Sequence, residues 1–135
     1  MSKTKWRDQF VFLEYQSNFH ESLRQIFITE EPFKYFKCYQ EIQVKDLIPS
    51  YPYNHEYDWY IKELNLIIEL HGLQHYKYTN FGSSFEQAKS QWLKGKERDS
   101  FKKEAAIDAG YSYIEIPYNA QLSKQYLLKR IVEVQ

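Results

Sequence analysis

Residues Asp58 to His75, DWYIKELNLIIELHGLQH, constrain the fold of this chain more than any other stretch. Two strand-like runs stand back to back. The first is Glu56-Tyr57-Asp58-Trp59-Tyr60, the second runs from Leu64 to His71, and Lys62-Glu63 forms the turn. Alternate residues of a strand face the same side. Leu64, Leu66, Ile68 and Leu70 then make one apolar face, and Asn65, Ile67, Glu69 and His71 make the other. A run this apolar belongs in the interior, and it carries an acid and an imidazole with it. Burying such groups costs several kcal/mol unless they are paired, hydrogen-bonded or bound to a metal.

The flanking segments supply the layers that would cover this hairpin. Ser17 to Phe27 reads as a helix, with Asn18 as N-cap and Glu21 three residues later in a capping box. Tyr35 to Val44, rich in aromatic and branched residues, reads as a strand, and Pro49 and Pro52 punctuate the loop after it. Tyr76 to Ser84 reads as a loop. Phe85 to Ala109 reads as a helix closed by Gly110, with Gly95 as a possible break. Tyr111 to Ile116 is a further strand stopped by Pro117. Asn119 to Val134 is an amphipathic helix with Leu122, Tyr126, Leu127, Ile131 and Val134 inward. Helix, three strands, helix, strand, helix predicts an α/β sandwich around a small mixed sheet.

At 135 residues the chain is expected to be one domain, 1–135, with 43% hydrophobic residues to build its core. No run reaches the roughly 18 apolar residues of a membrane span, and no secretory signal opens the sequence. A single cysteine, Cys38, excludes an intrachain disulfide and a thiolate-rich zinc site. A cytoplasmic setting is expected. Formal net charge is zero, but the charges are not evenly spread. Lys89 to Lys103 holds six cationic residues against Glu97 and Asp99, while acids gather between Glu41 and Asp58. A basic segment beside an acidic cluster suits an enzyme that grips phosphates and positions a metal. A solvated helix face is the plainer account of the basic run.

Asp58 and Glu69 are the first candidates. Two carboxylates converging from adjacent strands suit Mg²⁺, which takes one or two carboxylates plus waters and phosphate oxygens. The competing account has Asp58 capping a turn and Glu69 pairing with a lysine at a sheet edge. His75, after the glycine turn, is placed to project over such a metal and accept a proton from water. His71 shares the face of Glu69 and is a candidate for orienting phosphate. On a continuous helix, Ala88, Trp92, Asp99 and Ala106 share a stripe, which turns Asp99 inward to hold His75 in one tautomer. The alternative is an exposed Asp99 paired with Lys102 or Lys103. Lys94, Lys96, Arg98 and Lys102 are candidate phosphate contacts, which position nucleic acid without reading its sequence. Trp92, Tyr76 and Tyr78 can stack on bases or simply pack.

These residues, in this order, resemble the very-short-patch repair endonucleases, a branch of the restriction-endonuclease-like PD-(D/E)XK superfamily. The resemblance spans about Asn18 to Pro117 and is carried by IIELHGLQH and by QWLKGKERD followed by GYSYIEI. It implies a restriction-endonuclease-like sandwich and a Mg²⁺-dependent DNA endonuclease in which Mn²⁺ can substitute. Asp58 is similar to the metal-binding aspartate, and Leu70 to the residue whose main-chain carbonyl is the second ligand. His75 is similar to the general base, Asp99 to the acid supporting it, and Glu21 to the glutamate on the first helix. Related phage homing endonucleases carry a similar set. Glu69 is an acid where the family is apolar, restoring the first acid of (D/E)XK, with His71 where the lysine would stand. Leu73-Gln74 replaces the family's aromatic wedge, and with one cysteine its structural zinc is not expected.

The expected function is therefore a site-specific, metal-dependent endonuclease of homing or phage type, acting on double-stranded DNA in the cytoplasm of a bacterium or phage-infected host. Specific DNA interfaces bury roughly 1,000–2,500 Å² of protein. A chain this short points to a homodimer or a separate recognition subunit. The same fold acting on branched DNA or RNA, or an inactive nucleic-acid-binding module, are the competing expectations, because similar carboxylates serve many phosphodiester hydrolases.

Overall fold

A computed structural model of the chain describes residues 18–71 and 85–135. Within them the protein is a mixed α/β structure: a four-stranded sheet with four helices. Helix α1 spans Asn18–Thr29, strand β1 Cys38–Gln43, the one-turn helix α2 Val44–Leu47, and strand β2 Glu56–Ile61. Strand β3 spans Leu66–His71, helix α3 Phe85–Asp108, strand β4 Ser112–Pro117, and helix α4 Lys124–Val134. Strand order is β1-β2-β3-β4. The first two pairings are antiparallel, and β3 and β4 run parallel with α3 in the connection between them. No helix among the described residues is long and apolar enough to cross a membrane.

Every residue of β3 is buried, because both faces of the sheet are covered. On one side Leu66, Ile68 and Leu70 join Leu23 and Phe27 of α1 and Leu127 and Ile131 of α4. On the other, Ile67 joins Tyr39, Tyr60, Val44 and Ala106 of α3. The predicted alternation of β3 thus holds from Leu66 onward. Leu64 and Asn65 belong to a 3-10 turn, Lys62–Leu64, and to its left-handed exit at Asn65 (φ 50°).

Helix α3 runs unbroken through Gly95 and ends as expected at Gly110, whose φ of 89° suits glycine. Gly110 N–H donates to the Ile107 carbonyl and Tyr111 N–H to the Ala106 carbonyl, both at 3.0 Å. Asn65 Nδ2 donates to the Gly110 carbonyl at 3.2 Å, tying the β2–β3 turn to the end of α3.

Several predicted bounds shift. The strand expected from Tyr35 begins at Cys38, because Phe33–Tyr35 forms a 3-10 turn, and it ends before Val44, which opens α2. Asn18 is already helical rather than the cap of α1. The last helix starts at Lys124, capped by Ser123, whose hydroxyl accepts from Tyr126 N–H at 3.0 Å. Val134 is exposed rather than inward.

Candidate active site

The hairpin of β2 and β3 does not stay zipped along its length. Trp59 pairs with Ile68, Tyr60 with Ile67 and Ile61 with Leu66, and there the ladder stops. At the next step the strands are joined by side chains. Asp58 N–H donates to Glu69 Oε2 at 2.9 Å, and Leu70 N–H donates to Asp58 Oδ2 at 2.8 Å.

The other neighbour of Asp58 is disturbed as well. In the β1–β2 register Gln40 faces Trp59 and Ile42 faces Tyr57, which leaves Glu41 opposite Asp58. Glu41 adopts a left-handed conformation (φ 56°), a strained choice for a residue other than glycine. Alternation fails on both strands at this level. Cys38 and Trp59 pack against α1 and α4, whereas Ile42 and Tyr57 pack on the α3 side. The kink turns Tyr57 toward α3, where its hydroxyl donates to the Lys102 carbonyl at 2.6 Å.

Lys102 is the residue that the sequence placed elsewhere. It was expected among surface phosphate contacts, yet it is 7% exposed and its ammonium sits 2.5 Å from Glu69 Oε1. Lys102 Nζ also donates to the Glu56 carbonyl at 2.9 Å. Its position was readable: Asp99, Lys102 and Ala106 are three and four apart on one helix stripe, and the buried Ala106 marks that stripe as inward. A lysine is presumed solvated unless paired, and its partner lies on β3.

Asp58, Glu69, Leu70, His71, Asp99 and Lys102 line an open cleft of about 330 Å³, with Asn54, His55, Glu56 and Arg98 at its margin. The structure therefore unites Asp58, Glu69, His71 and Asp99 as the sequence anticipated. Asp99 points inward, with its side chain 17% exposed and Arg98 Nε 3.7 Å away, rather than pairing outward with Lys102 or Lys103. His71 Nδ1 lies 3.3 Å from Glu115 Oε2, and Lys103 binds the other oxygen of Glu115 at 2.8 Å. Glu21 is not in this cleft; it holds the buried Arg24 at 2.7 Å and accepts from Gln25 at 3.1 Å. Lys94 and Lys96 are exposed on α3, with Lys96 over the Trp92 ring, and Arg98 is 52% exposed. His75, Leu73-Gln74, Tyr76, Tyr78 and the loop predicted over 76–84 lie outside the described residues.

Burial and the neighbouring Asp58 push the Glu69 carboxyl up to about 8, and Lys102 only partly offsets them. Burial raises Asp58 too, against the hydrogen bonds it receives. Two buried carboxyl groups side by side resist ionising together, and positive charge nearby relieves that. A divalent cation supplies such charge. No cluster of three or more His, Cys, Asp or Glu side chains suited to a metal exists among the described residues. Two carboxylates and a backbone carbonyl beside an open cleft nevertheless fit Mg²⁺, which keeps most of its waters.

Compared with known protein families, with curated proteins and with solved structures, the chain finds no match.

Proposed function

We propose that this protein is a metal-dependent endonuclease that hydrolyses phosphodiester bonds in DNA. The observation that carries the reading is the meeting of Asp58, Glu69 and Lys102 in one open cleft, two acids from parting strands and an amine from the crossover helix. Acid, acid and lysine are the ingredients of the PD-(D/E)XK element that the sequence resembles. The lysine of that element has a counterpart here on α3, while His71 occupies its usual strand position. The strand order, with a helix between the two parallel strands, suits the same restriction-endonuclease-like sandwich.

In this reading Asp58, Glu69 and the Leu70 carbonyl would hold Mg²⁺, which when bound supplies positive charge at the scissile phosphate and lowers the pKa of water. Lys102 has three N–H donors, two of them directed at Glu69 and the Glu56 carbonyl. Its charge, fixed in a partly desolvated cleft, offsets the charge that develops on the phosphate oxygens. Arg98, at the margin, reaches toward solvent and is the phosphate contact of the cleft mouth. His75 is the proposed base that takes the proton from water, with Asp99 orienting it; both assignments rest on the resemblance.

The test is incubation of long mixed-sequence DNA with Mg²⁺ or Mn²⁺, comparing wild type with Asp58→Ala, His75→Ala and Lys102→Met. Discrete cuts that vanish in Asp58→Ala and fall steeply in the other two are expected. Cutting that persists in Asp58→Ala would sink the assignment.

A further inference from the structure

A second pocket of about 330 Å³ adjoins the cleft and is lined by Tyr53, His55, Lys94, Glu97, Arg98 and Phe101. His55 and Arg98 line both, so the two lie side by side at these residues. Tyr53 comes from the loop before β2 and Phe101 from α3. Their rings lie 5.6 Å apart between centroids and within 14° of parallel. Tyr53 also stacks on His55 at 5.4 Å and 24°, and His55 Nδ1 is hydrogen-bonded to the Tyr51 hydroxyl at 2.6 Å.

Rings in face contact sit about 3.5–4 Å apart. Near-parallel rings with centroids beyond 5 Å are therefore offset and do not fully cover each other. Tyr53 is 45% and Phe101 37% exposed. Partly exposed aromatic rings, with Arg98 and Lys94 beside them and Glu97 as the one acid among the described lining residues, match a ligand that pairs a flat apolar ring with a negative charge.

We propose that this ledge is a nucleobase-stacking subsite for an unpaired nucleotide flanking the scissile bond. The inference rests on the endonuclease reading and narrows its substrate. The base continues the offset stack of Tyr53 and Phe101, and its phosphate meets Arg98 at the shared margin, away from Glu97. A base inside an intact duplex already has both faces covered. The occupant is thus a nucleotide of a single-stranded flank, a fork or a branch, and the preferred substrate carries such a segment beside the cut.

The experiment is fluorescence anisotropy in a chelating buffer, where nothing is hydrolysed. The probes are a labelled duplex with a short thymidine flank and the same duplex with an abasic flank. Wild type should prefer the base-bearing flank by about 10-fold or more, the size of one base–aromatic stack. Tyr53→Leu and Phe101→Leu should lose that preference with abasic binding unchanged, and Tyr53→Phe should keep it. If Tyr53→Leu does not fold, Phe101→Leu on the helix surface and the abasic probe still decide. Equal wild-type binding to both probes, no binding to either, or a preference surviving in the leucine variants would overturn the subsite. Cleavage with Mg²⁺ is scored separately. Cutting without base preference defeats the subsite alone, and preference without cutting defeats the nuclease alone.

Discussion

Asp58 and Glu69 each accept a hydrogen bond from the backbone of the other's strand, at the point where those strands part. Each carboxylate replaces a ladder partner that the opposite strand no longer supplies. The pair therefore has a structural task as well as the proposed catalytic one, and substitutions can separate the two.

Asp58→Asn keeps an acceptor for Leu70 N–H and relieves the repulsion of Glu69, so its stability should stay within about 1 kcal/mol of wild type. Asp58→Ala leaves that N–H without its acceptor and should cost about 1–3 kcal/mol. Both should abolish binding of Mg²⁺ or Mn²⁺ in calorimetric titration. Full metal binding by Asp58→Asn would remove Asp58 from the ligand set.

Lys102→Met withdraws the one cation in contact with Glu69 among the described residues, with the backbone bond from Asp58 still in place. Breaking a buried pair from one side should cost about 3 kcal/mol in urea unfolding above about pH 8, where Glu69 is ionised. Glu69→Gln added to Lys102→Met should recover most of that loss, because no carboxylate is then left uncompensated. A double variant as unstable as the sum of its parts would show that the contact is not a coupled pair.

The metal-free protein should lose stability as pH rises. Glu69 titrates near 4.5 in the unfolded chain and at about 8 in the folded one, so between those values the folded state holds the extra proton. Stability is then fully present below about 4.5 and declines through about 8. Asp58 is shifted in the same direction. His20 and His55, lowered chiefly by burial, act oppositely: they add stability as pH rises to 6.5. The difference between wild type and Glu69→Gln, measured by denaturant midpoint in chelator, isolates the acid. A flat difference across this window would contradict the shift. Added Mg²⁺ should flatten the decline at its upper end.

Gly110→Ala meets no steric obstacle, since nothing lies within 4 Å of the added carbon, but φ of 89° is unfavourable for alanine. A loss of about 1 kcal/mol in chemical unfolding is expected. A gain, as a compatible Gly→Ala change produces, would place this residue outside the left-handed region.

The central hairpin and the convergence of Asp58 with Glu69 were legible because strand alternation is local physics and an acid within LNLIIELHG is conspicuous. The end of α3 was legible through Gly110 for the same reason. The kink at Glu41 and Asp58 was not, because a left-handed glutamate carries no sequence signal and its cause lies in tertiary packing. Lys102 escaped notice because a lysine in a basic run reads as solvated until the partner strand is placed. The start of β1 was misjudged because Tyr35 and Phe36 have strand propensity, which the turn at Phe33–Tyr35 overrides.

Helix α3 has a part in the order of folding. Asp58 and Glu69 are 11 residues apart and meet when a short hairpin closes. Lys102 lies 46 residues beyond its other partner, Glu56, and arrives only when the crossover docks. Closing the longer loop is the slower, costlier event. A hairpin formed first presents two adjoining acids to water, and each must stay protonated or attract a counterion. Docking of α3 would then bring the lysine that fills this role.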